Sequence, residues 1–261
     1  MFKKWVQSIA IIALSLGFFN AAWADRLEEI ITKGIVRIGV PLDVPPFGSQ
    51  NVNREPEGFD VDMATMVAKV LGVKLELTQI TGANRLPFLL TDKVDIVISV
   101  MGLTPERAKQ IMFSAPYANT SLAVYGPKNI NVKSAADLTN YKTAAAKGTT
   151  QELALSAANP KANIMRTEDD ATAAAAYLSG QAQLFSTNSI VAIDLGKKNP
   201  KKEFDLKFNI RQSPAHMGVK MGEHSLARWL DSFIFFNTMN TELDKLHMKW
   251  LGRPMDPMPG L

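Results

Sequence analysis

Two kinds of apolar rhythm alternate along the chain. Ile35 to Val40, Val73 to Ile80 and Asp95 to Met101 are short runs rich in β-branched residues, the pattern of strands. Between them, apolar residues recur at helical spacing. Leu27, Ile30 and Ile31 share one face of a short helix ending near Gly34; Ala64, Val67, Ala68 and Leu71 form the buried face of a longer one, stopped by Gly72. Asp60 reads as the N-cap of that helix and Asp62 as a first-turn charge. Asn84-Arg85-Leu86-Pro87 opens a third helix. Strand following helix in this order predicts a parallel sheet covered on both faces, with ligands taken at the C-terminal ends of the strands. The rhythm repeats further on. Strands at Lys142 to Ala146, Ile164 to Arg166 and Leu184 to Ser186 alternate with a short helix capped by Ser134 and with helices opening at Thr149 or Thr150, at Asp169 and at Asn188. Ala123 to Tyr125 and Phe208 to Arg211 are extended segments on either side of this second unit, the places where two chain crossings are expected. His216 to Lys220 returns as a strand. Leu226, Trp229, Leu230, Phe233 and Phe236 then recur at helical spacing and read as core, followed by a helix over Glu242 to Trp250 and a proline-rich tail, Pro254 to Leu261.

The first 24 residues follow a different rule. Lys3 and Lys4 precede an apolar run from Val6 to Phe19, and Ala22-Trp23-Ala24 supplies a small-residue cleavage site. This predicts a signal peptide cleaved after Ala24, an exported protein beginning at Asp25, and no cysteine for a lipid anchor. With 261 residues the chain is long enough for two lobes with their own cores. The absence of cysteine excludes disulfides, thiolate metal sites and cysteine nucleophiles. His216, His224 and His247 have no metal-ligand spacing, and no cofactor or metal is implied. The net charge of +4 is scattered, apart from Lys197-Lys198 and Lys201-Lys202, and no nucleic-acid motif accompanies it.

The most informative stretch runs from Asp95 to Phe113. A strand passes through Gly102 into a helix start, with Thr104 as N-cap and Pro105 at the first helical position. Backbone N–H groups around Gly102 and Thr104 are then available to an anion. Arg107 lies in the first turn, where a cation opposes the helix dipole but can grip a carboxylate held against those N–H groups. A capped surface helix with a solvated arginine is the alternative. Gly148-Thr149-Thr150-Gln151-Glu152 is a second strand-glycine-cap-helix unit. Phe47 ends a stiff loop, Pro41 to Phe47, and reads either as a pocket wall or as a core lid. Arg85 reads either as a second anion contact or as a solvated helix-start residue.

The loop ending Pro45-Pro46-Phe47, the segments GFDVDMA and LTPERAKQ, and Phe113-Ser114-Ala115-Pro116-Tyr117 occur in order, and together they resemble the family-3 solute-binding proteins of bacterial ABC transporters, the polar amino acid-binding group. The resemblance implies an α/β fold of the type II periplasmic-binding-protein kind: two lobes, each a mainly parallel sheet flanked by helices, joined by two hinge strands. Lobe 1 would comprise 25–124 and 214–261, and lobe 2 would comprise 125–213. It implies a monomer that takes a small carboxylate, an amino acid or a dicarboxylate, between its lobes and delivers it to an ABC permease in the inner membrane. Arg107 would clamp the carboxylate with the amides of Gly102 and Thr104, and Thr149 and Thr150 would add donors from the opposite lobe. The resemblance places Asn188 where amino acid binders carry an aspartate for the α-ammonium; asparagine can accept from that group but cannot neutralise it. Asp43 and Glu168 are the candidates for the missing charge, and Arg85 points toward a second anionic group. Exported cyclohexadienyl dehydratases share the expected fold and are the enzyme alternative, for which Glu57, Asp43 or Glu168 would have to serve as the acid.

Overall fold

Residues 25–255 are described by the structure, a computed structural model of the chain; the expected signal peptide and residues 256–261 lie outside the described residues. Helix α1 (Arg26–Lys33) leads through Gly34, at φ 68°, into β1 (Ile35–Pro41). A small hairpin, β2 (Ser49–Gln50) with β3 (Pro56–Glu57), precedes α2 (Phe59–Leu71). Then come β4 (Lys74–Ile80), α3 (Arg85–Leu90), β5 (Ile96–Gly102), the single turn α4 (Pro105–Ala108) and β6 (Ile111–Ala118). The second unit holds β7 (Ser121–Gly126), a 3-10 turn (Ala135–Asn140), β8 (Thr143–Ala146), α5 (Thr150–Ala158), β9 (Ile164–Thr167), α6 (Asp170–Leu178), β10 (Leu184–Asn188), α7 (Ser189–Lys198) and β11 (Asp205–Gln212). The chain returns through β12 (Ala215–Lys220) to α8 (His224–Met239) and α9 (Glu242–Leu251). Among the described residues no helix is long and apolar enough to cross a membrane.

The strands form two five-stranded sheets, ordered β4-β1-β5-β12-β6 and β11-β7-β10-β8-β9. In the first, β1 pairs in parallel with β4 and β5, while β12 runs antiparallel to both its neighbours. The second repeats the arrangement: β8 is parallel to β9 and β10, and β7 is antiparallel to β10 and β11. The chain passes between sheets at 119–120 and again at 213–214. The two crossings are tied together by Ser213 N donating to Thr120 O at 2.8 Å and Thr120 Oγ1 donating to Ser213 O at 2.6 Å. The expected division at 124 therefore falls inside β7, which belongs wholly to the second sheet.

Each lobe packs on its own sheet, and Ile190 and Val191 of α7 extend the first lobe's core into the second. In the first, Phe59 lies between the Tyr117 ring, stacked at 5.9 Å, and the edges of Phe47 and His247. The second is built on small residues, with Ala144, Ala173 and Ala176 packed around the stacked pair Tyr177 and Phe185. Two expectations change here. The longer helix starts at Phe59 with Gly58 as its cap, so Asp60 is not a cap; its carboxylate turns inward. Phe236 is 64% exposed, because helical spacing alone places it one step beyond the face that α8 lays on β6.

Candidate functional site

The site lies where the C-terminal ends of β1, β4, β5, β8 and β10 meet across the two lobes. Arg107 comes from the first turn after β5. Its backbone N–H donates to the Thr104 hydroxyl at 3.2 Å, the expected cap. Its side chain is 4% exposed and runs across the gap between the lobes. Nη1 donates to Gly102 O at 2.7 Å on its own lobe and to Thr150 Oγ1 at 2.8 Å on the other; Nη2 donates to Gly148 O at 3.0 Å. All these acceptors are neutral, and among the described residues Arg107 has no ion pair. Burial, with Arg85 and Arg211 nearby, pulls its pKa down to about 9. A buried guanidinium without a counter-charge is a costly arrangement for stability alone.

Thr149 caps α5, accepting from Glu152 N at 3.4 Å and donating to Ala146 O at 2.7 Å. The first N–H groups of α5, at Thr150 and Gln151, are among those a helix start leaves unpaired. Thr149, Thr150 and Gln151 border a cavity of about 40 Å³ between the lobes. Asp43, Val44, Arg85, Ser99 and Val100 border it from the first lobe; Asp170, Thr187 and Asn188 close it from the second. Arg107 does not itself line this cavity; it reaches the lining through Thr150.

Close approach of the lobes depends on glycine. A methyl group on Gly82 would meet Lys147 O and Thr149 Cγ2, each at 2.8 Å, and one on Gly102 would meet Ser213 Oγ at 2.2 Å and Thr150 Oγ1 at 3.0 Å. Beneath the cavity a bulge interrupts β5. Met101 faces His216 and Ile98 faces Met217, so Ser99 and Val100 are extra residues on that strand, and Val100 takes a φ of 43°. The bulge turns Ser99 O toward Arg85 Nη1 at 3.0 Å and Val100 N toward Asp60 Oδ2 at 3.0 Å. Asp60 also accepts from the Tyr117 hydroxyl at 2.8 Å, and full burial pushes its pKa up to about 7.

Most of the expected site residues gather at this gap. Gly102, Thr104, Arg107, Thr149 and Thr150 come together at one end, and Asp43, Arg85 and Asn188 at the other. Arg85 is buried, not solvated. Phe47 does not belong with them. It is fully buried against Phe59, while Pro41, Asp43 and Val44 of its loop reach the cavity; the rigid loop made it a core lid. Glu168 is exposed and away from the lining. Asp170 was not anticipated. Next to Asp169, the true cap of α6, it reads in sequence as one more helix-start charge. In the fold it faces Asp43, whose Oδ2 accepts from the Asp170 backbone N–H at 2.9 Å, and burial with Asp43 beside it raises its pKa to about 7. Asn188 caps α7: its Oδ1 accepts from Ile190 N at 2.9 Å.

Residues 36–253 match the family model of the bacterial extracellular solute-binding proteins, family 3. A glutamine-binding protein of an ABC transporter, GlnH of Bacillus subtilis, is 28% identical over 232 residues, 87% of this chain and 85% of the relative. Cyclohexadienyl dehydratase of Pseudomonas aeruginosa is 29% identical over 195 residues, 73% of each chain. Among solved structures, the ancestral amino acid-binding protein AncCDT-1, a precursor of cyclohexadienyl dehydratase, is similar with a TM-score of 0.78 at 34% identity, covering 86% of this chain and 99% of that one. Two lobes crossed twice by the chain, a cleft between them and a match over nearly the whole described length agree: the chain belongs to family 3 of the bacterial extracellular solute-binding proteins.

Proposed function

We propose that this protein is a periplasmic receptor that binds an amino acid between its lobes, as a monomer, and hands it to an ABC permease. The observation that carries this reading is Arg107: a buried cation spanning both lobes whose partners are all neutral. A ligand carboxylate displacing the Thr150 hydroxyl would neutralise it and meet the free N–H groups of α5. Because the donors come from both lobes, such a ligand favours the closed form over the open one. Arg85 donates to Gly82 O and Ser99 O, with Asp170, Asp43 and Asp60 among the charged groups acting on it from further away, and the relatives are named for amino acid rather than dicarboxylate binding. Relatives named for amino acid binding and the family's extracellular setting support the transport role; residues 1–24 would direct export.

The test is a thermal-shift and calorimetric screen of the protein L-amino acids and cystine. At least one should raise the melting temperature and titrate with one site. Arg107→Ala should weaken that binding by roughly a hundredfold or more, the loss expected when one partner of a buried charge pair is removed, with the unliganded melting curve retained. Near-native affinity in that variant would overturn the reading.

A second reading rests on Asp170. A carboxyl group with a pKa near 7 beside a cleft suits general acid work, and a dehydratase relative exists. Prephenate and arogenate incubated with the protein decide it: release of CO2, with the ring hydroxyl leaving as water on a proton from the acid, at a rate removed by Asp170→Asn would favour the enzyme.

A further inference from the structure

The carboxylate pole of the cleft leaves open where a ligand's ammonium would go. Asn188 stands at the position that the resemblance assigns to an aspartate, but its oxygen already serves the cap of α7 and its unengaged group is a donor. It is 6% exposed, its oxygen is fixed by the cap bond from Ile190 N, and the amide cannot be turned over without facing one N–H group with another. Its Nδ2 has no hydrogen-bond partner and lines the cavity with Asp43 and Asp170. Position 188 therefore offers the cleft a donor, which suits a ligand oxygen.

The acceptors lie on the adjoining wall. Asp43 from the loop after β1 and Asp170 from the first turn of α6 belong to opposite lobes. Asp43 Oδ2 is used by the Asp170 backbone N–H, whereas Oδ1 is buried and has no partner. Among the described residues no ion pair within 4 Å engages the Asp170 carboxylate, and Arg85 is the one cation among the groups acting on the two carboxyls, without a direct ion pair to either. The cleft thus carries an uncompensated cation at Arg107 and an excess carboxylate at Asp43–Asp170, the charge pattern of a zwitterion. We propose that the interlobe pair Asp43 and Asp170 receives the ammonium of the ligand, while Asn188 Nδ2 donates to a ligand oxygen.

This inference rests on the amino acid-binding reading, and the test separates the two. The purified protein is titrated with the L-amino acid that stabilises it most and with the same compound lacking its α-amino group. The wild type should prefer the amino acid by at least tenfold, the contribution of one charge-assisted hydrogen bond. Asp43→Asn and Asp170→Asn should each bring that ratio toward one. A mere loss of closure would weaken both compounds alike and leave the ratio unchanged, which overturns the proposal. Asn188→Asp keeps the cap but replaces the donor by a carboxylate; it should bind the amino acid more weakly, and tighter binding would contradict the assignment. A wild type that binds no amino acid overturns the amino acid reading, and this one with it.

Discussion

At the scale of single residues, the site is governed by charges that the fold buries without full compensation. Asp60 is the clearest case. Its carboxyl sits under the β5 bulge, bonded to Val100 N and the Tyr117 hydroxyl, with a pKa near 7 in the folded state against 3.8 in the unfolded one. The folded protein therefore holds the proton more tightly, and the stability from this group grows as pH falls from about 7 to about 4. Asp60→Asn removes the titration. Melting temperatures of the variant and the wild type, compared from pH 8 to pH 5, should diverge by the equivalent of about 2–4 kcal/mol across that range, the wild type gaining on the variant as the pH drops. Parallel curves would show that Asp60 stays ionised. Asp60 also marks a limit of what sequence reveals. An aspartate two residues past a glycine at a helix start looks like a cap, and only the packing of β5 and Tyr117 over the helix shows that it turns inward. Asp170 was hidden in the same way by Asp169. The local pattern left Arg107 open between a solvated cation and an anion contact, the resemblance favoured the second, and the fold buries the side chain in the gap; Thr104 and Thr149 were legible because capping is a short-range interaction.

At the scale of elements, strands and helices were readable from period and punctuation, and the bulge was not. Asp95 to Met101 is an unbroken apolar run. The two extra residues at Ser99 and Val100 exist only relative to β12, which arrives more than a hundred residues later. The crossings shifted for a related reason: Ser121 and Leu122 carry no local sign of which sheet they join, and the pairing of β7 with β10 and β11 decides it. The meeting of the lobes at Gly82 allows a direct test. Its backbone conformation suits other residues, since no positive φ is required there, but a methyl group would press on the opposite lobe at Lys147 O and Thr149 Cγ2. Gly82→Ala should leave the unliganded melting temperature nearly unchanged. It should weaken ligand binding by about five- to a hundredfold, the cost of overpacking a close contact. Unchanged affinity on titration would mean that the bound form keeps the lobes further apart.

At the scale of the whole molecule, each lobe packs on its own sheet, Ile190 and Val191 of α7 join the first lobe's core, and the two crossings hydrogen-bond to each other. Few covalent paths and many cleft donors are what the proposed ligand-dependent closure requires. Arg107 has partners on both sides, and on the proposed reading it senses closure and its lack of a counter-charge draws an acid to it. The most direct measurement is a crystal structure of the protein with the amino acid that stabilises it most. The account predicts a ligand carboxylate within about 3 Å of the Arg107 guanidinium, hydrogen-bonded as charged pairs are, and beside the first N–H groups of α5. A carboxylate bound elsewhere, with Arg107 still bonded only to Gly102, Gly148 and Thr150, would contradict it.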